Sequence, residues 1–174
     1  EVGRLPEAQA DRVIDATGRI VTPGFIDAHS HSDWVLLANP TAESAIRQGV
    51  TTEIVGNCGH SQAPIADASR AATTEFLRSY GYERDATWDS FASYIDVVRE
   101  TGTAINYGFL VGHNSLRSAV GITGPDSDES QRARMERLVA ESMEQGALGM
   151  STGLEFDPGR SAPRDEIRRL AAAM

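Results

Sequence analysis

The sequence predicts an α/β fold built on a parallel sheet. Three observations carry this. Short β-prone apolar runs alternate with amphipathic stretches of helical spacing, four times in succession. Gly and Pro punctuate the joints between them. Polar or reactive residues collect just past the C-terminal end of each run, where parallel α/β folds bind and react. Strands separated by helices need crossover connections and so run parallel. Two architectures satisfy the pattern: an open doubly wound sheet, and part of a (β/α)8 barrel.

The elements follow in order. In residues 1–22, Asp11–Asp15 and Arg19–Thr22 flank Ala16-Thr17-Gly18, which reads as strand, turn and strand, a hairpin. An isolated hairpin is marginal in water, so this one is expected to pair with other strands. Pro23-Gly24 opens the first apolar run, Gly24–Ala28, and an amphipathic stretch covers Thr41–Gln48. The second run, Thr51–Val55, ends at Gly56-Asn57-Cys58-Gly59. Ser61–Asp85 is a longer insertion with a weak helical pattern. Trp88, Phe91, Tyr94, Ile95 and Val98 recur at helical spacing behind Thr87, which reads as the N-cap. The third run, Ile105–Val111, leads into Gly112-His113. Ser127–Gln145 is the clearest helix, with Met135, Leu138, Val139 and Met143 on one stripe and Gly146 at its end. Ala147–Ser151 is the fourth run, and a last helix starts near Pro163.

Composition narrows the function. The chain has 174 residues with 40% hydrophobic and 24% charged content, enough for a packed core. A net charge of −9 argues against a nucleic-acid surface, which needs a basic patch. No apolar run reaches the length of a membrane span. One cysteine excludes an internal disulfide and fits a reducing, cytoplasmic setting. The first residue is Glu1 rather than Met, so the chain is expected to continue N-terminally. All sixteen basic residues are arginine, so no lysine here is available for carboxylation into a metal bridge.

The chemistry concentrates at the strand ends. His29 and His31 leave the first run two residues apart, a spacing that turns both rings to the same side of a strand. That pairing suits a divalent metal. Cys58 sits in a tight loop one strand later. A lone cysteine is commonly a small buried hydrophobe, but a thiolate here is able to ligate or bridge cations, and sulfur with imidazole favours zinc. His113 follows the third strand and reads either as a loop-bonding residue or as a substrate contact. Ser151 follows the fourth and is expected to line the substrate site. His60 is expected to be exposed, and Asp33 either orients an imidazole or turns the chain.

These motifs resemble the amidohydrolase superfamily. Pro23-Gly-Phe-Ile-Asp-Ala-His-Ser-His31 resembles its first-strand signature. Gly49-Val-Thr-Thr-Glu-Ile-Val-Gly-Asn-Cys-Gly-His-Ser-Gln-Ala-Pro64 is similar to the N-acyl-D-amino-acid deacylase branch, which carries a cysteine at the end of strand two. Val111–Arg117 and Gly146–Leu154 add to the likeness. The resemblance implies the barrel, with residues 1–22 ending a small β domain and residues 23–174 forming its first four βα units. It implies that His29 and His31 hold one metal and that Cys58 ligates or bridges one or two zinc ions. It places two further histidines and a general-base aspartate on later strands, beyond this chain; such a barrel takes about 250 residues. It implies hydrolysis of a non-peptide C–N amide bond in a small N-acyl-D-amino acid. Relatives often carry tyrosine where this chain has Phe156, so Phe156 is a candidate substrate-lining position at which a hydroxyl contact is lost. A hydantoinase-like cyclic amidase would share the histidine pair but normally uses a carboxylated lysine. A non-catalytic barrel is the remaining reading, and loss of a later ligand would favour it.

Overall fold

The structure, a computed structural model, describes Gly3 and residues 10–174. It is a mixed α/β arrangement. Strand β1 (Phe25–Asp27) pairs in parallel with β2 (Val50–Val55), and β2 with β3 (Asn106–Phe109). Strand β4 (Val111–Gly112) continues β3 past Leu110 and pairs in parallel with β5 (Met150–Ser151). The third predicted run is thus one extended segment that changes partner. Leu110 N–H still reaches Val55 O at 2.9 Å, while Val111 N–H turns to Gly149 O at 2.9 Å. The strands therefore lie side by side in chain order, with their C-terminal ends at one edge.

Helices fill the crossovers. They are α1 (Glu43–Ile46), α2 (Asp67–Ser79), α3 (Phe91–Thr101), α4 (His113–Ala119), α5 (Glu129–Glu144) and α6 (Arg164–Ala173). Helix α3 starts at Phe91 and not behind Thr87. Ser90 Oγ accepts from Ser93 N–H, and Ser93 Oγ accepts from Ser90 N–H, a reciprocal cap that Thr87 has no partner to match. Trp88 stays outside the helix, buried, and donates its indole N–H to Gln62 O at 2.6 Å. Asp128 and Gln131 cap α5 in the same reciprocal way.

Two apolar clusters anchor the helices. Leu36, Leu77, Trp88, Tyr94 and Val98 pack beneath Tyr107 and Phe109 of β3. Val111 of β4 joins Leu116, Met135, Val139 and Leu170 from α4, α5 and α6. Burial of side chains of this size stabilises the fold by about 1.5–3 kcal/mol each.

Two expectations are corrected. The N-terminal hairpin forms only its turn, with Arg19 N–H on Ala16 O at 2.9 Å. No strand is formed in residues 10–22, whose Val13, Ile14, Ile20 and Val21 are 73–91% exposed and have nothing to pack against among the described residues. Strand β1, read from the sequence as an apolar run, is also exposed: Phe25 and Ile26 have no covering layer among the described residues.

Beneath α4 and α6 lies a buried ionic cluster. Glu166 Oε1 accepts from Arg117 at 2.5 Å and from His113 Nε2 at 2.8 Å, and Oε2 accepts from Ser127 Oγ at 3.0 Å. Arg117 also donates to Gly124 O. Burial alone would raise the Glu166 carboxyl. The bonds from His113 and Arg117, with the guanidinium charge, outweigh it and lower the pKa to about 2. In the full-length protein, Glu166→Gln leaves the Arg117 charge buried and unpaired, and is expected to cost about 3–5 kcal/mol in urea denaturation at pH 7. The folded pKa lies below the unfolded value of about 4.3. The stabilisation is therefore complete above roughly pH 5 and lost as pH falls from there towards 2. Stability measured against pH should show this acid limb in the native protein and a flatter one in Glu166→Gln.

Candidate metal centre

The first donors come from the exit of β1. Ser30 N–H bonds Ile54 O at 3.0 Å, so the segment stays aligned with β2 beyond the last strand residue. A 3-10 turn at Ser32–Trp34 then takes the chain away. His29 and His31 thus fall on one side with ring centroids 5.7 Å apart.

The third donor comes from the exit of β2. Asn57 carries the turn, its amide donating to Ile54 O at 2.8 Å and to Ser30 O at 3.1 Å, which ties the two strand ends together. Cys58 follows with φ of 53°, a left-handed conformation unusual for a residue with a Cβ. It is held there from the far side. Ser151 Oγ accepts from Gly59 N–H at 2.9 Å and donates to Gly56 O at 2.5 Å. Gly153 lies so close that a Cβ on it would sit 1.8 Å from the Cys58 carbonyl oxygen, and a Cβ on Gly112 would sit 2.3 Å from Gly59 O. The turn is clamped between the ends of β1, β4 and β5.

The result is a three-donor cluster. Cys58 Sγ is 3.3 Å from His29 Nε2, and the donor atoms of His29, His31 and Cys58 all lie within 4.8 Å of one another. Ligands at about 2.0–2.3 Å around one tetrahedral ion sit roughly 3.3–3.8 Å apart. His29 is exposed and the other two are half-buried, so the cluster opens outward. His31 Nδ1 is buried without a hydrogen-bond partner. Burial, and then the neighbouring His29, lower the His31 pKa, which favours the neutral ring that ligates metal. One sulfur and two imidazoles suit zinc by chemistry, and the 3.3 Å between Cys58 Sγ and His29 Nε2 is the spacing of two ligands on one ion.

The other expected residues fall elsewhere. Ser151 commits its hydroxyl to the backbone of the Cys58 turn rather than to a substrate. His113 does not line the site: it is fully buried against Glu166. Phe156 is exposed and stands at the site's edge, its ring 5.7 Å from that of His60. His60 is half-buried rather than exposed, and burial followed by proximity to His31 lowers its pKa.

Sequence reasoning left the role of Asp33 open, and the fold buries it at 1% exposure. Neither carboxylate oxygen makes a well-formed hydrogen bond. Burial pushes its pKa up to about 7 despite the nearby N–H groups of Asp33 and Gly56 and the Gln62 amide. The alternation His29, His31, Asp33 was a visible signal for a third side chain at this strand exit, although the 3-10 turn redirects it inward.

Comparison with known proteins gives the family. A sequence profile of the amidohydrolase family matches residues 12–174. The chain is 40% identical over 170 residues to a D-aminoacylase of Alcaligenes xylosoxydans xylosoxydans, covering 95% of this chain and 34% of that protein. It is 40% identical over 178 residues to an N-acyl-D-glutamate deacylase of the same organism, covering 99% and 35%. The chain thus spans about a third of the length of the curated relatives it matches. A crystal structure of D-aminoacylase superimposes with a TM-score of 0.87 at 36% identity, over 99% of this chain and 36% of that one. An N-acyl-D-glutamate deacylase from Bordetella bronchiseptica, complexed with zinc and a phosphonate mimic of the tetrahedral intermediate, superimposes at 0.79 with 34% identity, over 91% and 33%. With its paired histidines and cysteine at adjacent strand ends, the chain belongs to the amidohydrolase family.

Proposed function

We propose that this chain is the N-terminal part of a zinc-dependent hydrolase that deacylates N-acyl-D-amino acids, cleaving a non-peptide C–N amide bond. The observation that carries the reading is the meeting of one thiol and two imidazoles at neighbouring strand ends in a chain of this family. In this reading residues 23–174 form the first arc of a (β/α)8 barrel and residues 1–22 end a small β domain. The exposed Ile26 and Leu148, with the exposed apolar residues of the N-terminal segment, are the faces that the remaining chain covers. No helix of the described residues is long and apolar enough to cross a membrane. The single free thiol fits a cytoplasmic enzyme.

His29, His31 and Cys58 would hold the metal, with Cys58 as its thiolate ligand. When bound, zinc brings the pKa of a water from roughly 15.7 to about 7 and polarises the amide carbonyl. Cys58 binds as the thiolate and the imidazoles bind as neutral rings. Asn57 and Ser151 orient the ligands by fixing the backbone on either side of Cys58. Phe156 lines the approach to the metal. The group that takes the proton from water lies on a strand after Met174.

The full-length protein is expected to contain zinc, to lose N-acyl-D-amino acid hydrolysis on chelation and to regain it when zinc is restored. A full-length protein that takes up no zinc and shows no amidase activity after zinc is added overturns the proposal. Ser151→Ala is expected to weaken zinc by about 10–100-fold in a chelator-competition titration, the usual effect of losing a group that orients a ligand. Cys58→Ala should exceed that loss. Residues 1–174 expressed alone are expected to self-associate and to show no turnover, which size-exclusion chromatography and the same assay check.

A further inference from the structure

A cavity of about 510 Å³ opens directly beside the three donors. His31 and Cys58 line it with Trp34, Ala72, Phe76 and Phe156, and uncharged polar side chains such as Gln62 and Ser69 complete the wall. The aromatic wall is built by contact: Trp34 lies 5.0 Å from the His31 ring and 5.4 Å from Phe76, centroid to centroid. Phe156 closes the opposite side against His60. No carboxylate and no arginine is among the lining residues, and the chain has no lysine.

An N-acyl amino acid offers four groups to a protein. Its carbonyl belongs at the metal. Its carboxylate is best held by an arginine or a lysine, and neither lines this cavity. Two uncharged arms remain, the acyl chain and the amino-acid side chain. We propose that this cavity receives an apolar arm of the substrate, with Trp34, Phe76 and Phe156 as its walls and Ala72 setting its depth. The proposal rests on the deacylase reading above. It makes the enzyme selective for substrates that carry at least one extended apolar arm, and poor with those whose arms are short or anionic.

Ala72 is exposed and sits within α2, so Ala72→Phe adds a ring to the cavity from a surface helix position. Two substrate series separate the arms in the full-length zinc enzyme. One runs from formyl to hexanoyl on a single D-amino acid. The other runs from D-alanine to D-leucine to D-phenylalanine under a single acetyl group. Each methylene buried is expected to raise kcat/KM about fourfold in whichever series enters the cavity. Ala72→Phe should cut the long-to-short ratio in that series at least tenfold, and Phe76→Asp should do the same. A ratio is insensitive to the fraction of active protein, so partial misfolding does not imitate this result. Unchanged ratios in both variants and both series overturn the proposal.

A second readout needs no turnover. Alkyl hydroxamates from acetyl to hexanoyl, titrated calorimetrically into the zinc-loaded protein, should tighten about fourfold per methylene, and Ala72→Phe should flatten the trend. If the native protein hydrolyses no member of either series yet shows the hydroxamate trend, the reaction is wrong and the cavity assignment stands. If it hydrolyses them with no dependence on arm length, the reaction stands and the cavity assignment is overturned.

Discussion

The candidate metal centre depends on how tightly the Asn57–Gly59 turn is held against its neighbours. Cys58 sits in a left-handed conformation that disfavours any residue with a Cβ, by about 1–2 kcal/mol. Such a conformation persists only where the surroundings over-determine it. Here they do. Asn57 bonds both preceding strand ends, the Ser151 hydroxyl bonds the backbone on both sides of Cys58, and Gly153 lets β5's exit press onto the Cys58 carbonyl. Relaxing any of these would let the sulfur swing away from His29.

The rest of the fold supplies the rigid ends that the clamp needs. The donors leave β1 and β2, and the two apolar clusters lie under β3, which pairs with β2, and under β4, which continues β3. The ionic cluster of His113, Arg117 and Glu166 pins α4, which begins where β4 ends. Its stabilising role and the site's chemical role are therefore separate functions of neighbouring residues.

Two buried carboxylates show how environment divides such roles. Glu166 has two cationic or donor partners on one oxygen and a hydroxyl on the other, and its pKa falls to about 2. Asp33, equally buried but without a well-formed bond, rises to about 7. The same functional group thus becomes a fixed anion in the packed core and a carboxyl that keeps its proton to higher pH beside the donor cluster. Neither state is visible in the sequence, because each is set by which donors reach the carboxylate from other elements.

Periodicity and spacing ordered β1 to β5 and the longer helices and drew attention to His29, His31 and Cys58, but did not mark α4. The reason is local: alternation fixes which face a side chain leaves from, and strand ends in parallel α/β folds gather chemistry at one edge. Cap chemistry was legible only in part. Thr87 looked adequate, but Ser90 and Ser93 satisfy each other's backbone and win. What only the tertiary structure decided involves contacts between residues far apart in the chain. Ser151 became a support for the Cys58 turn across 92 residues, His113 was taken into the core by Glu166, and His60 and Phe156 were brought together as one wall. A sequence pattern states where a side chain starts, and only packing determines what it meets.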